Sequence, residues 1–150
     1  MYAVAAQLRS IEQGIAHPGA TPTVHVPNVA GGWPRARSTV YGLAAVDDRG
    51  RVADNVIVRV LCWRAGTRLD IRVVGGVIVV AASDDGALSV TNNGHVRLPA
   101  TVRRSCAVEP GDRVLLVAEP ANGVLSVHPP AAMDTMLTRF HAQLMAGDAP

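Results

Sequence analysis

The sequence predicts a mainly β fold with short helices, in which two copies of one small unit share a core. The first observation is an internal repeat, because Val46–Val52 matches Val90–Val96 in its order of apolar, polar and glycine positions. The second is a set of dipeptides typical of tight turns between strands: Asn93-Gly94, Asn122-Gly123 and Gly75-Gly76. The third is composition. Apolar residues make up 49% of the chain and aromatic residues only 3%, so the core must be aliphatic, which favours short and closely packed strands.

The first forty residues are predicted to be an appendage to this fold. Apolar residues recur at helical spacing at Val4, Leu8, Ile11 and Ile15, so residues 2–15 are expected to form a short amphipathic helix. Residues 18–34 are rich in Pro, Gly, Thr and Val without periodicity, which indicates an irregular arm. Residues 1–40 are therefore taken as an N-terminal helix followed by a Pro/Gly-rich arm.

The repeat defines two copies, a diverged one over residues 41–87 and a second over residues 88–130. Each is expected to run strand, tight turn, strand, two helical turns, glycine turn, strand, hairpin turn and strand. The matched positions beyond the turn glycines are Val58-Arg59 with Val102-Arg103, Cys62 with Cys106 and, after a one-residue shift, Gly66–Leu69 with Gly111–Val114.

A unit of about forty residues with four short strands cannot bury its apolar faces alone. The chain has 150 residues, which suits one compact domain or two very small units with a common core. We therefore expect an intramolecular pseudo-dimer in which strands of both copies interleave into one small β-barrel, since a barrel leaves no sheet edge free.

The two cysteines, Cys62 and Cys106, are too few for a disulfide framework and show no CxxC spacing. Because the repeat makes them equivalent, both are predicted to be reduced thiols buried in the core.

Residues 131–150 are predicted to form a C-terminal helix and tail. Pro129-Pro130 suits a helix start, and the apolar positions that follow at helical spacing are Met133, Met136, Leu137, Phe140 and Leu144. This stripe is expected to be core or a subunit contact.

The longest apolar run, Val73–Ala82, is about half of a membrane span, and the N-terminus lacks a basic signal region, so we expect a cytoplasmic protein without membrane association.

Charge and motifs limit the classes of function. All fourteen basic residues are arginine, and against twelve acids they leave a net charge of +2, too small for nucleic-acid binding driven by bulk charge. Arginine without lysine also follows from a GC-rich genome.

No nucleophile motif, phosphate loop or HExxH helix is present, and Asp47-Asp48 and Asp84-Asp85 lie beside turns, where Asp is common. We expect no enzyme activity, cofactor or metal site.

The segment Gly94–Arg104, continued by Val108–Val114, resembles the AbrB/MazE/SpoVT swapped-hairpin DNA-binding family. That family's pattern is a glycine, a basic and an apolar residue, a proline, a short helix with arginines and a Pro-Gly-Asp turn. The resemblance covers residues 88–130 well and the first copy at lower fidelity, and two copies in one chain resemble the MraZ-like arrangement. It implies tandem swapped-hairpin units that form the predicted barrel.

The resemblance also implies which side chains contact DNA, namely the basic residues after the first turn and in the short helix. Arginine suits both phosphate and guanine because its planar fork donates two hydrogen bonds at once. The positions carried over are His95, Arg97, Arg103 and Arg104 in the second copy and Arg51 and Arg59 in the first.

Two departures from the family pattern affect this transfer. His95 replaces the usual arginine, and the first copy has Ala53–Asn55 where the second has Arg97–Pro99. Either one face binds DNA better, or the first copy serves mainly as a packing partner. In the alternative interpretation these arginines are only solvated or pair with acids.

The function expected from these features is a sequence-specific, DNA-binding transcriptional regulator that acts on double-stranded DNA as a homo-oligomer. One alternative is an antitoxin, which binds DNA through the barrel and a toxin through the arm or the C-terminal helix. Another is a protein-interaction or assembly module that does not bind DNA, which the low net charge permits.

Overall fold

A computed structural model describes residue 35 and residues 37–147 of the chain. The predicted N-terminal helix over residues 2–15 and the arm over residues 18–34 lie outside the described residues. The described part is mainly β with short helices, which confirms that prediction. Its elements in chain order are β1 (Val40–Ala45), β2 (Arg51–Val52), α1 (Asn55–Val60), β3 (Arg68–Val74), β4 (Val77–Ala82), β5 (Leu88–Ser89), β6 (Val96–Arg97), α2 (Ala100–Ser105), β7 (Arg113–Glu119), β8 (Val124–His128) and α3 (Pro130–Met145).

Strand pairing follows the internal repeat. Six strands form an antiparallel sheet in the order β1-β7-β8-β4-β3-β5, and β2 pairs with β6 in a separate two-stranded ribbon. The first strand of each copy pairs with the third strand of the other, as β1 with β7 and β5 with β3. The equivalent strands β4 and β8 pair with each other, as do β2 and β6. Each copy therefore completes the sheet of the other.

The predicted closed barrel is wrong for the described residues, because the six strands form an open sheet with β1 and β5 at its two edges. Two local features accompany the open edges. The chain turns at Asp84-Asp85, where the amide of Gly86 donates to the carbonyl oxygen of Ser83, and the edge strand β5 that follows has only two residues. The ribbon of β2 and β6 belongs to a second sheet, so no continuous ladder joins β1 to β5.

The core is aliphatic, as the composition predicts, and both copies contribute to it. The largest side chains with under 2% exposure include Ile57, Leu69, Ile78, Leu98, Leu116 and Leu125. Burial of this kind is worth about 1.5–3 kcal/mol for each large aliphatic side chain. Because the cluster draws on α1, β3, β4, β7 and β8 together, the described part has one shared core.

The register of the repeat changes before the short helices, which corrects the equivalence of the cysteines. Only Ala53 separates Val52 from Asp54, the residue before α1, whereas Arg97 and Leu98 separate Val96 from Pro99, the residue before α2. The extra residue makes Leu61 the match of Cys106.

Cys62 therefore matches Ala107, and both have a left-handed backbone, with φ of 57° and 52°. Cys106 is buried as predicted, but Cys62 is exposed, so the prediction of two buried thiols is wrong for Cys62. At this position after the helix, the side chain of the first copy points away from the core that holds Leu61.

The C-terminal helix forms where it was predicted, over sixteen residues from Pro130 to Met145. No residue of α3 is buried. Large apolar side chains on it are exposed, among them Met136, Leu137 and Leu144.

Candidate nucleic-acid interface

The ribbon of β2 and β6 presents arginine on one face and valine on the other. Arg51 lies opposite Arg97, and Val52 lies opposite Val96. Both valines are buried, whereas Arg97 is exposed and Arg51 is partly exposed. Because side chains alternate across a strand, the valines fix the ribbon to the core and the two arginines project from its outer face. The ribbon thus brings together one predicted arginine from each copy.

A hydrogen-bonded turn holds the first arginine of the ribbon in place. The Asp47 carboxylate accepts from the backbone N–H of Arg49 at 2.9 Å and of Arg51 at 2.8 Å. The turn continues at Gly50, which has a φ of +77°, and the Leu98 amide donates to the Gly50 carbonyl oxygen at 2.8 Å. This last bond extends the ribbon by one residue pair and ties the first copy to the second.

Arg51 is partly neutralised by its own turn, because its Nε donates to Asp47 Oδ2 at 2.7 Å. The backbone N–H of Arg51, followed by its side chain and the N–H of Arg49, holds the pKa of the Asp47 carboxyl below its ordinary value. Like charges directly opposite each other in a sheet repel, so the carboxylate also offsets the repulsion between Arg51 and Arg97.

Arg97 is the arginine of the ribbon whose charge stays available. It is exposed, and no hydrogen bond or ion pair joins its side chain to any residue that the structure describes. Its cross-strand neighbour Arg51 adds a second guanidinium, already oriented by Asp47. The outer face of the ribbon therefore carries a net positive charge on a rigid support.

Arg103 and Arg104 follow each other on α2 but have different environments. Arg103 is partly buried, its Nε donates to the Leu98 carbonyl oxygen at 3.0 Å, and its guanidinium lies against Gly50, where a Cβ would overlap it. Arg103 thus packs α2 against the ribbon. Arg104 is exposed, with a 3.3 Å bond from Nε to the Ala100 carbonyl oxygen of its own helix.

The remaining predicted residues lie apart from the ribbon or are partly hidden. His95 precedes β6, and its Nδ1 is buried without a hydrogen-bond partner among the described residues. Arg59 is exposed on α1 beside an open cleft that Asn55, Cys62 and Arg64 also line. The structure therefore groups Arg51, Arg97 and Arg103 and leaves Arg59 outside this group.

Sequence reasoning missed Arg49, which is exposed in the turn that precedes β2. Its one signal in the sequence is its place directly before the turn glycine Gly50. The repeat does not point to it, because the equivalent residue in the second copy is Asn93, which carries no charge.

Among the described residues, no group of three or more His, Cys, Asp or Glu side chains is placed to hold a metal ion. Over the same part of the chain, no helix has both the length and the apolar character required to cross a membrane. No protein-family model, curated protein or solved structure matches the sequence.

Proposed function

We propose that the chain is a sequence-specific DNA-binding transcriptional regulator, built as a tandem swapped-hairpin unit of the AbrB/SpoVT type. The proposal rests on the ribbon of β2 and β6, which aims Arg51 and Arg97 outward from a buried valine pair. The exchange of strands between the two copies supports it, because the resemblance implies such a pseudo-dimer.

The dimensions and chemistry of the ribbon suit the major groove. A two-stranded ribbon fits a groove about 12 Å wide, and an arginine fork can bind guanine edges or a phosphate. The free guanidinium of Arg97 makes the contact that depends on sequence, and Arg104 on α2 meets the backbone. With a net charge of only +2, the chain binds through these placed charges rather than through a broad positive surface.

Random-oligonucleotide selection at two salt concentrations tests whether the chain prefers one sequence. The selected site is then titrated with the parent protein, with Arg97→Ala and with the control Arg72→Ala. Arg72 is also exposed, but it lies on β3, outside the ribbon, 3.8 Å from Asp70. The two variants have the same net charge, so they separate the position of an arginine from its contribution to bulk charge.

We expect Arg97→Ala to cost about 1–3 kcal/mol of binding free energy if it reads a base, or about one unit of salt slope if it binds a phosphate. Both variants should keep the thermal midpoint of the parent, because exposed arginines contribute little to stability. Enrichment of no sequence, or equal binding by Arg97→Ala and the parent, would reject the proposed interface.

A protein partner is the second candidate function, and α3 is the observation that favours it. No residue of this helix is buried, and Leu137 and Leu144 are about half exposed. An antitoxin would use such a helix against its toxin while the ribbon binds DNA. An assembly module would use this helix without binding DNA. If the protein is not retained on DNA even at low salt, that result favours the assembly module.

A further inference from the structure

An open cleft of about 440 Å³ lies along one face of α1 and is here called the α1 cleft. The described residues that line it are Asn55, Val58, Arg59, Cys62, Trp63 and Arg64. Val58 and Trp63 are buried, whereas the other four are exposed. The α1 cleft therefore has an apolar base and a polar rim, and among its described residues are two arginines and no acid. Its volume is typical of sites for small molecules, which measure about 300–1,000 Å³.

The guanidinium of Arg59 is not used to cap its own helix. Arginines in the last turn of a helix often donate to the last carbonyl oxygens. Here backbone N–H groups already bind these oxygens. The Trp63 amide donates to the Val58 oxygen at 3.0 Å, and the Cys62 amide donates to that of Arg59, also at 3.0 Å. No hydrogen bond or ion pair joins the Arg59 side chain to any residue that the structure describes.

The backbone of Arg64 is fixed by a turn, while its side chain stays unpaired. Its N–H donates to Thr67 Oγ1 at 2.8 Å, and its carbonyl oxygen accepts from the Thr67 N–H at 2.9 Å. The preceding residue, Trp63, is 6% exposed and anchors this stretch in the core. The guanidinium of Arg64 has no hydrogen bond or ion pair within the described part of the chain. Two uncompensated positive charges thus line one cleft.

The second copy shows that the shared fold does not require this charge. In the corrected register of the repeat, Arg59 is equivalent to Arg104. Arg64 is equivalent to Glu109, which is also exposed. The turn is the same in both copies, because the backbone of Glu109 makes the same two bonds with Asp112, at 2.8 and 3.1 Å. An acid therefore fits this position of the turn, and the arginine of the first copy serves a purpose other than folding.

We propose that the α1 cleft binds the phosphate group of a small phosphate monoester. Such a group carries a charge of about −1.5 to −2 near pH 7, which two guanidinium groups match. Each planar fork can donate two hydrogen bonds to phosphate oxygens, and the amide of Asn55 is a further donor. The organic part of the ester lies against the apolar base formed by Val58 and Trp63.

The charge of the site distinguishes this ligand from a nucleic-acid backbone. A backbone phosphate is a diester with a single negative charge, whereas a monoester offers two to the same pair of arginines. Neither Arg51 nor Arg97 lines the α1 cleft. The inference therefore does not rest on the proposed DNA-binding function, and it adds a site for a small ligand on another surface of the first copy.

The exposed thiol of Cys62 lies in the cleft and reports on its charge. Iodoacetate is an anion and iodoacetamide is neutral, but both alkylate the same thiolate, so the ratio of their rates measures the local charge. We expect Arg64→Glu to lower this ratio at Cys62 by about fivefold or more at low salt, the factor that a unit charge about 4 Å away produces in water.

Arg72→Glu is the matched control for the alkylation ratio. It changes the net charge equally, but Arg72 is exposed on β3 and does not line the cleft. The ratio at Cys62 should be the same in this variant as in the parent. An equal ratio in the parent and in Arg64→Glu would overturn the proposed charge of the site.

Protection of the same thiol measures binding. Inorganic phosphate and phenyl phosphate are titrated into the full chain at constant ionic strength, and alkylation by iodoacetamide is followed by peptide mass mapping. We expect both probes to protect Cys62 in a saturable way, with the lower half-point for phenyl phosphate because its ring contacts the apolar base. Cys106 is buried, so its alkylation should not change, which controls for general opening of the fold.

The variants then test which side chains bind the phosphate. Arg64→Glu should raise the half-point for phenyl phosphate by about tenfold or more, as expected for loss of hydrogen bonds to a charged group. Arg59→Gln should raise it in the same direction, and Arg72→Glu should leave it unchanged. Circular dichroism of every variant verifies that the fold is retained.

A short DNA duplex is the third probe in the protection experiment. If the duplex protects Cys62 and neither phosphate compound does, the cleft belongs to a nucleic-acid surface and the proposal is overturned. It is also overturned if neither phosphate compound gives saturable protection, or if Arg64→Glu and Arg59→Gln are protected as well as the parent.

Discussion

At the scale of single residues, the two turn glycines of the repeat are equivalent in backbone and different in surroundings. Gly50 and Gly94 both have a φ of +77°, which L side chains rarely adopt. A Cβ on Gly94 would meet nothing within 4 Å, whereas one on Gly50 would lie 2.8 Å from the Leu98 carbonyl oxygen and would overlap the guanidinium of Arg103. Gly50 is thus required both for its backbone and for the room it leaves to Arg103.

We expect Gly50→Ala to destabilise the chain more than Gly94→Ala. The positive φ costs about 1 kcal/mol at either site, and only the first variant also displaces Arg103. The free energy of unfolding from urea titration measures both costs.

A double-mutant cycle isolates the part due to the guanidinium. In an Arg103→Ala background, Gly50→Ala should cost less than it does in the parent, while the cost of Gly94→Ala should not change. Equal costs for the two glycines in the parent would show that Arg103 does not pack on the turn.

The sequence indicated which arginines are candidates but not how each is used. Arg51 is held by Asp47, four residues before it, and a local pair of this kind is visible in a sequence only when the turn geometry is known. Arg103 packs against Gly50, which belongs to the other copy, so its role depends on the tertiary fold. Arg59 and Arg97 are the predicted arginines that are exposed and have no side-chain hydrogen bond or ion pair among the described residues, and of these two only Arg97 lies on the ribbon.

At the scale of elements, the two short helices are stabilised at their N-termini in different ways. Helices of six residues are not stable alone, so caps and packing must hold them. Asp54 caps α1, and its Oδ1 accepts from the N–H groups of Val56 and Ile57 at 3.0 Å each. The residue before α2 is Pro99, which makes no side-chain cap. There, the bond from the Arg103 side chain to the Leu98 carbonyl oxygen ties the helix to the residue before Pro99.

Asp54→Ala should therefore destabilise the chain by about 1 kcal/mol, the usual cost of removing an N-cap side chain. Asp85→Ala is the control, because Asp85 is exposed in a turn and should change stability by less than about 0.5 kcal/mol. Urea unfolding followed by circular dichroism gives both values. Equal, small changes would mean that packing alone holds α1.

Both helices were predictable from the repeat, but their register was not. The residue inserted before α2 is Leu98, whose side chain is fully buried, so it extends the core and not the helix. Pairwise comparison of two diverged copies cannot place such an insertion, because apolar residues occur on both sides of it. Because of this one residue, the position equivalent to buried Cys106 is Leu61 and not Cys62, which is exposed.

At the scale of the whole molecule, the shared core follows from the repeat and the open sheet does not. Two units too small to fold alone must combine, and the sequence shows two such units. The sheet ends in β1 and β5, and no continuous ladder joins these two strands. As the first strands of the two copies they differ in length, with six residues in β1 and two in β5, a difference that repeat matching does not predict.

A fragment of residues 88–150 should be unfolded as a monomer, or should dimerise to replace the missing copy. It retains β5 and β7 but lacks β3 and β1, the strands with which they pair. Circular dichroism combined with analytical ultracentrifugation decides the point. A folded, monomeric fragment would show that the second copy has a sufficient core of its own.

The exchange of strands also sets an order of events in time. During synthesis, β1 is complete long before its partner β7 exists, since Val40 pairs with Ala118 far along the chain. Long-range pairings of this kind slow folding, and they leave apolar strands exposed to aggregation while the remainder is made. The first copy therefore cannot complete its folding until the second copy has been synthesised. The duplication that gives one chain a complete core therefore also makes folding of the nascent chain depend on how soon its second half is synthesised.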